Sequence, residues 1–138
     1  MTKFKPAIFI YFDGSFKVIN QNKIGAIGFY IETQGGELLQ EHSQIIHNID
    51  NNTDVERKSL KKALNIVLDE YGKNNRLFIF GDEKTIIENL KEQKLSNKID
   101  KDITDLLNKF NSTILTNISQ YENKKAHQLA NSEIKKYK

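Results

Sequence analysis

A strongly apolar segment that runs into an acid constrains this chain more than any other stretch. Residues 7–15 read Ala-Ile-Phe-Ile-Tyr-Phe-Asp-Gly-Ser, so six apolar residues with high strand propensity lead directly to Asp13. A strand that is apolar on both faces is normally a central strand, covered from each side. The segment therefore predicts the central strand of a sheet that has layers packed on both faces.

Asp13 occupies a position in this strand that demands a partner. On a two-residue period it shares one face with Phe9 and Tyr11. A lone ionised carboxylate beside aromatic rings is costly, so the acid must be paired, metal-bound or at the open edge of the sheet. The simpler alternative is that the strand ends here and that Asp-Gly forms a turn. The local sequence leaves both interpretations open.

The rest of the chain predicts four more strands and four helices. Residues 17–23 are mostly polar and turn-like, and residues 33–36 predict a hairpin turn. Strand patterns follow at 24–31, 37–47, 76–81 and 112–119, and helical patterns at 53–72, 83–93, 99–110 and 123–137. The order β-β-β-α-β-α-α-β-α predicts an α/β fold with a five-stranded mixed sheet flanked by helices. Three antiparallel strands would be followed by two strands parallel to the first.

Length and composition limit the class of protein. We expect the 138 residues to form a single domain over 1–138. The chain has no cysteine, which excludes disulfides, thiolate metal sites and a cysteine nucleophile. No segment is apolar enough to span a bilayer, and no secretion signal is evident. We therefore expect a cytoplasmic protein without a membrane partner.

The net charge of +3 is concentrated at one end of the chain. Residues 1–120 contain 16 basic and 16 acidic side chains, whereas residues 121–138 contain five lysines and two glutamates. A basic terminal helix suggests a polyanionic partner, although lysine-rich helices are also common as simple solvated surfaces.

Three acids fall at comparable topological points, and each also has a local explanation. Asp13 lies late in the first strand, Glu56 in the first turn of the first helix, and Asp82 directly after the fourth strand. Glu56 extends the apolar face of its helix, but it could instead close a capping box with Thr53. Asp82 could simply cap the next helix. The local explanations do not account for why all three acids should converge at one end of one sheet.

Convergent carboxylates would repel one another unless a cation neutralised them. Oxygen ligands of this kind suit Mg²⁺ or Mn²⁺, and two such ions can activate water and stabilise the leaving oxygen of a phosphodiester. The residues alone thus predict a metal-assisted phosphodiesterase-like site, and the basic terminal helix is consistent with such a substrate.

The chain resembles a type 1 ribonuclease H domain over essentially its whole length. The matching segments are Tyr-Phe-Asp-Gly-Ser at 11–15, Ile-Gly-Ala-Ile-Gly-Phe at 24–29, Val-Glu at 55–56, Phe-Gly-Asp at 80–82 and Asn-Lys-Lys-Ala-His-Gln-Leu-Ala at 123–130. The resemblance implies a ribonuclease H-like fold and an endonuclease that hydrolyses the RNA strand of RNA/DNA hybrids, leaving 5′-phosphomonoesters. It also implies that Asp13, Glu56 and Asp82 hold two divalent ions, Mg²⁺ or Mn²⁺.

The resemblance also implies where a nucleic acid would bind. Asn52 and Thr53, with the backbone near Gly14 and Ser15, would contact 2′-hydroxyl groups across the shallow groove of a hybrid. The terminal lysines, among them Lys124 and Lys125, would contact phosphates. Double-stranded RNA is an alternative substrate to the hybrid.

Several features depart from the family pattern. His127 occupies the position where the family usually has a fourth acid, and it is assigned either a catalytic role or a packing role in its helix. A glycine-rich loop before the last helix and a basic segment between the middle helices are both missing. Glu83 follows Asp82 where the family usually has serine. The alternative function is therefore a ribonuclease H-like binding or scaffolding module with little or no turnover.

Overall fold

The computed structural model describes residues 7–94 and 97–137, which form one five-stranded sheet and four helices. The elements, in chain order, are β1 Ile8–Ile19, β2 Asn22–Thr33, β3 Leu38–His47, α1 Asn52–Tyr71, β4 Arg76–Gly81, α2 Lys84–Lys91, α3 Lys98–Leu107, β5 Ser112–Asn117 and α4 Lys124–Lys136. This order confirms the predicted succession of strands and helices. Residues 95–96, between the predicted helices at 83–93 and 99–110, lie outside the described residues.

The sheet is mixed, and its strands lie in the order β3-β2-β1-β4-β5. Strand β2 is antiparallel to β1 and to β3, whereas β4 is parallel to β1 and β5 is parallel to β4. β1 is the middle strand of the five, as its apolar sequence predicts, and helices α1 and α4 pack on it. The predicted fold class is confirmed.

β1 is longer than the sequence pattern indicates. Residues 17–23 were predicted to be turn-like, but β1 and β2 continue through most of this segment as a hairpin. The turn itself is Asn20-Gln21, and both residues have positive φ, 49° and 68°, as a tight two-residue turn requires. Pairing with β2 satisfies the backbone of this polar stretch and keeps it extended. The alternative that Asp13-Gly14 forms a turn is therefore wrong.

Helices cover the two faces of the sheet unequally. On one face α1 packs against β1 and β2, with α3 beside it, and the fully buried Ile10 and Phe12 point into this layer. On the other face α4 packs over β1, β2 and β3. The described part of the chain has no helix with the length and apolarity needed to cross a membrane.

Gly28 in β2 allows α4 to approach the sheet closely. A Cβ atom at Gly28 would lie 2.5 Å from the backbone nitrogen of Ala130 and 2.6 Å from the carbonyl oxygen of Ala126. Glycine permits this approach because it has no Cβ atom. Gly28 pairs with Asp13 in the sheet, so the contact fixes the helix directly over that acid.

Candidate active site

Asp13 lies where the pairing of β1 changes from two neighbours to one. The parallel pairing with β4 ends at Tyr11 and Phe80, whereas the antiparallel pairing with β2 continues past Asp13 and Gly28. The carboxyl group therefore lies just beyond the carboxyl end of β4, and only 3% of the residue is exposed. A buried carboxylate in this position needs a partner, as the sequence predicts.

Glu56 is not part of a helix cap. The side chain of Asn51 caps α1 by accepting a hydrogen bond from the backbone N–H of Asp54 at 3.0 Å. The Thr53 hydroxyl donates to the same Asn51 oxygen at 2.6 Å, so the predicted capping box between Thr53 and Glu56 is wrong. Glu56 lies one turn further along, is 4% exposed, and its Oε2 makes no hydrogen bond with any described residue.

Gly14 brings the first turns of α1 against β1. A Cβ atom there would lie 2.8 Å from the backbone nitrogen of Glu56 and 2.8 Å from Cγ1 of Val55. Glycine is the residue that permits this approach, because any side chain would push the helix away from the strand. The Asp-Gly pair thus places the carboxyl group of Glu56 beside that of Asp13.

Asp82 follows the last residue of β4 and does not cap α2. The cap is Glu83, whose side chain accepts a hydrogen bond from the Thr85 N–H at 3.4 Å. The Asp82 carboxylate instead accepts a hydrogen bond from Asn123 Nδ2 at 3.5 Å. The alternative that Asp82 serves as the helix cap is wrong, since its neighbour fills that position.

The three acids converge. One ligand oxygen from each of Asp13, Glu56 and Asp82 lies within 4.8 Å of the other two. Burial, a hydrogen bond to Asp13 and the negative charges nearby raise the pKa of Glu56 to about 10. Burial and the charge of Asp13 also raise the pKa of Asp82 above its ordinary value, against the hydrogen bond from Asn123.

This cluster has the donor chemistry of a divalent-cation site. It offers three carboxyl groups, two of them buried, and one buried oxygen that has no hydrogen-bond donor among the described residues. Carboxylate oxygens are the ligands that Mg²⁺ and Mn²⁺ prefer. A cation would stabilise the ionised form of all three groups and would give the Glu56 oxygen its missing partner.

His127 reaches the cluster from α4. Its Nδ1 lies 2.9 Å from Oδ2 of Asp13, and 38% of its side chain is exposed. The side chain thus contacts a candidate metal ligand while keeping access to solvent. This contact distinguishes His127 from a histidine that only packs against its own helix.

Asn123 also belongs to the cluster, and the sequence patterns gave it no role. It is 1% exposed, its Nδ2 donates to the Phe12 carbonyl oxygen at 2.8 Å and to Asp82, and its Oδ1 makes no hydrogen bond with any described residue. Asn123 begins α4 without capping it by a side-chain hydrogen bond. The sequence offered one signal for this role, an asparagine one turn before His127. A helix cap explains such a residue equally well.

The residues predicted to contact a nucleic acid lie near the cluster residues along the chain. Asn52 is exposed and Thr53 and Ser15 are partly exposed, whereas Gly14 is buried against α1. Lys124 and Lys125 are exposed in the first turn of α4, one turn or less from His127. Lys135 and Lys136 lie in the last turn of the same helix. Four of the five terminal lysines therefore form two pairs at opposite ends of α4, and Lys138 lies outside the described residues.

The family to which the chain belongs follows from comparison with known proteins. The model of the reverse transcriptase-like family matches residues 11–133, a span that includes all three acids and His127. The chain belongs to this family, within the ribonuclease H-like superfamily. Comparison with curated proteins gives no match.

Solved structures show where this reverse transcriptase-like chain stands in fold space. RNase H1 from the halophilic archaeon Halobacterium salinarum NRC-1 has a TM-score of 0.82 at 21% identity, over 94% of this chain and 98% of that one. The N-terminal RNase H domain of Rv2228c from Mycobacterium tuberculosis has a TM-score of 0.83 at 19% identity, over 96% of each chain. LC11-RNase H1 in complex with an RNA/DNA hybrid has a TM-score of 0.79 at 20% identity, over 94% of this chain and 97% of that one. At this identity the comparisons establish the fold.

Proposed function

We propose that this protein is a metal-dependent endoribonuclease that hydrolyses the RNA strand of RNA/DNA hybrids and leaves 5′-phosphomonoesters. The observation that carries the proposal is the convergence of Asp13, Glu56 and Asp82 within 4.8 Å at the end of the parallel strands. We also propose that residues 1–138 act as a single domain and that the site holds two ions, Mg²⁺ or Mn²⁺. The hybrid-bound LC11-RNase H1 supports the choice of substrate, because its fold is similar to this one.

The roles of the residues follow from their positions. Asp13, Glu56 and Asp82 would hold the cations, which would supply charge stabilisation for an attacking water and for the leaving oxygen of the phosphodiester. Asn123 orients the Asp82 carboxylate, since it bridges that group and the β1 backbone. His127 is close enough to Asp13 to act as a further ligand or to carry a proton near the leaving oxygen.

The substrate would lie across the exposed surface around this cluster. Asn52 and Thr53 at the start of α1, with the backbone near Gly14 and Ser15, would contact 2′-hydroxyl groups. Lys124 and Lys125 would contact phosphates at the start of α4. Double-stranded RNA presents the same groove shape and 2′-hydroxyl groups, so it is the competing substrate to test.

The deciding experiment is cleavage of a labelled RNA/DNA hybrid by the wild type and by Asp13→Asn, in Mg²⁺ and in Mn²⁺. We expect the wild type to cut the RNA strand and the Asp13→Asn variant to lose cleavage while its fold and its hybrid binding persist. Double-stranded RNA and double-stranded DNA of the same sequence are the controls for substrate. Wild-type turnover by the purified Asp13→Asn variant would contradict the assignment.

A second candidate function is a ribonuclease H-like binding or scaffolding module. The observation that favours it is the contact between His127 Nδ1 and Asp13, which places a nitrogen donor where the family usually has an acid. Hybrid binding by the wild type without cleavage in either metal would support this function over the enzyme.

A further inference from the structure

The start of α1 is enclosed on three sides. Val55, Glu56 and Arg57 are consecutive, and all three are buried. Successive residues of an α-helix point about 100° apart, so the three side chains face different neighbours. A Cβ atom at Gly25 would lie 2.7 Å from Cγ2 of Val55, which places Val55 against the sheet. Glu56 joins the acidic cluster, and Arg57 faces α3.

Arg57 links the first turns of two helices. Its Nε donates a hydrogen bond to Oδ1 of Asp100 in the first turn of α3 at 2.8 Å, and its Nη1 donates to Oδ1 of Asp54 in the first turn of α1 at 3.0 Å. Nη1 also donates to the Thr53 hydroxyl at 3.5 Å. Arg57 is 8% exposed and Asp100 is 1% exposed. The guanidinium group therefore forms a buried connection between α1 and α3 at the residue next to Glu56.

Stability alone is a weak reason for a buried ion pair. Removing both charges from water costs free energy that their attraction only partly returns, and apolar side chains of similar volume are often as stable or more stable. Apolar contacts, however, have no preferred direction. A guanidinium group is a planar fork that binds a carboxylate in a fixed orientation. The Arg57–Asp100 pair therefore constrains how α1 is rotated and shifted against α3, and with it the direction in which Glu56 points.

The side of this turn that faces the sheet is also fixed. The backbone nitrogen of Glu56 lies so close to Gly14 that a Cβ atom there would be 2.8 Å away. Contact with β1 limits how closely the helix can approach the strand, while the ion pair with α3 opposes rotation and sliding of the helix. The two contacts together leave the Glu56 backbone little freedom.

We propose that Arg57 is a positioning residue for the candidate metal site, where it fixes the carboxyl group of Glu56 relative to Asp13 and Asp82. The inference rests on the proposed function only in that the three acids bind a divalent cation. Mg²⁺ requires near-ideal octahedral coordination, so a displaced carboxylate weakens its binding. Arg57 acts through the helix that carries Glu56 and is not itself a ligand.

A double-mutant cycle on the ion pair tests this role, with Mn²⁺ alone as the ligand. The variants of the full chain are Arg57→Met, Asp100→Asn and the two combined. Isothermal titration calorimetry gives the dissociation constant of Mn²⁺, and denaturant unfolding in EDTA gives the metal-free stability. Asp100 has interactions besides this pair, and the cycle separates their contribution from that of the pair. The combined variant removes both charges, so it does not leave one buried ion without its counter-charge.

A matched control comes from a second ion pair between the same two helices. Lys61 Nζ lies 3.0 Å from Oδ2 of Asp102, about one turn further along α1, but the two side chains are 38% and 30% exposed. Lys61→Met/Asp102→Asn therefore removes an ion pair between α1 and α3 that is open to solvent. Arg57→Lys is the conservative variant, because it keeps the positive charge but loses the planar fork.

We expect the combined Arg57→Met/Asp100→Asn variant to bind Mn²⁺ about tenfold more weakly, as is typical when a partner that orients a metal ligand is lost. Arg57→Lys should lie between the wild type and this variant. The control should bind Mn²⁺ within about twofold of the wild type, because exposed ion pairs contribute little. In hybrid cleavage, the Mn²⁺ concentration for half-maximal rate should rise in the combined variant, and excess Mn²⁺ should restore the rate.

The inference is overturned if the folded combined variant binds Mn²⁺ like the wild type, whatever its stability. It is also overturned if the control loses as much affinity, because any contact between the two helices would then suffice. If the combined variant does not fold, the same measurement on Arg57→Lys decides.

The two proposals fail in different ways. Mn²⁺ binding that depends on Arg57, without hybrid cleavage by the wild type, would refute the proposed enzyme alone. Hybrid cleavage with a metal requirement that the Arg57 variants leave unchanged would refute this inference alone. A wild type that binds no Mn²⁺ would refute both.

Discussion

The Nδ1 atom of His127 lies 2.9 Å from Oδ2 of Asp13, which joins the last helix to the central strand at the candidate metal site. The two residues are far apart in the chain, and the close packing of α4 on Gly28 brings them together. The contact gives His127 a direct means to influence how Asp13 binds a cation.

The first prediction concerns the metal preference that His127 imposes. Imidazole nitrogen suits Mg²⁺ poorly and Mn²⁺ better, so the wild type should cleave a hybrid faster in Mn²⁺ than in Mg²⁺. If the histidine limits Mg²⁺ binding, His127→Asp should raise Mg²⁺-supported cleavage, and His127→Ala should lose far less activity than Asp82→Ala. Initial rates in both metals measure this.

A proton-transfer role for His127 gives the opposite result. Both His127→Asp and His127→Ala would then lose activity, and the pH–rate profile would lose a limb near neutral pH. Indifference of every rate to both substitutions, in either metal, would return His127 to a packing role.

The second prediction concerns Asn123 as a positioning residue. Asn123→Ala removes the hydrogen bonds to the Phe12 carbonyl and to Asp82, and partners that orient a metal ligand typically contribute about 10- to 100-fold in metal affinity. We expect the concentration of Mg²⁺ or Mn²⁺ needed for half-maximal cleavage to rise by that factor, measured by metal titration. Asn123→Asp, which adds an acid to the cluster, is the comparison. An unchanged metal requirement in a folded Asn123→Ala variant would contradict the prediction.

The third prediction links metal, pH and stability. Glu56 has an ordinary pKa of 4.5 and a pKa of about 10 in the folded, metal-free protein. Between these values the folded state holds more protons than the unfolded state, so the free energy of unfolding should fall as pH rises. A divalent cation binds the ionised carboxylates and should reverse this loss. The stabilisation by Mg²⁺ or Mn²⁺ should therefore be larger at about pH 8.5 than at about pH 5.5.

Thermal unfolding with EDTA and with each metal, at both pH values, measures the effect. Glu56→Gln is the control, because it removes the titrating group and should flatten the metal-free pH dependence attributed to it. The prediction would be contradicted if, without metal, the stability of the wild type rose between the two pH values while that of Glu56→Gln did not.

The fourth prediction concerns the contact between β2 and α4. Gly28→Ala would place a Cβ atom against the backbone of Ala126 and Ala130, and overpacking of this kind typically costs about 1–3 kcal/mol. Displacement of α4 should also separate His127 from Asp13. Gly35→Ala is the matched control, because its nearest atom, Thr33 Oγ1, would be 3.9 Å away. Denaturant unfolding should show a loss for Gly28→Ala only; equal stability of the two variants would show that α4 can shift freely.

The fifth prediction separates the two lysine pairs of α4. Neutralising Lys124 and Lys125, beside the candidate site, should weaken hybrid binding of any sequence and reduce the salt slope by about 1 for each phosphate that is no longer neutralised. Neutralising Lys135 and Lys136, in the last turn, should have a smaller effect because they lie farther from the acids along the helix. Binding titrations at several salt concentrations measure both slopes. Unchanged slopes in both variants would identify all four lysines as a solvated surface.

Local sequence patterns predicted the order of the elements, which the structure confirms, and they singled out Asp13, Glu56 and Asp82, which the structure brings together. The helical repeat that ends at Gly72 and the strand at 76–81 are such patterns, and both appear in the structure close to their predicted bounds, whereas the apolar run at 7–12 forms only the first half of β1. Each acid lay at the end or start of a predicted element, so the topology alone indicated one end of the sheet. Periodicity and local propensity are properties of short segments, and the sequence expresses them directly.

Long-range packing selected which of the possible local interactions the chain uses. β1 continues past Asp13 because β2 pairs with it; Asn51 rather than Thr53 caps α1, and Glu83 rather than Asp82 caps α2. The sequence does not distinguish between neighbouring residues that cap a helix equally well. The direction from which the chain enters the helix decides which of them does so. The role of Asn123 and the partial exposure of Phe78 and Phe80 depend on where α4 lies on the sheet. That position results from the close approach to Gly28, which no local pattern encodes because the two segments are distant in the chain.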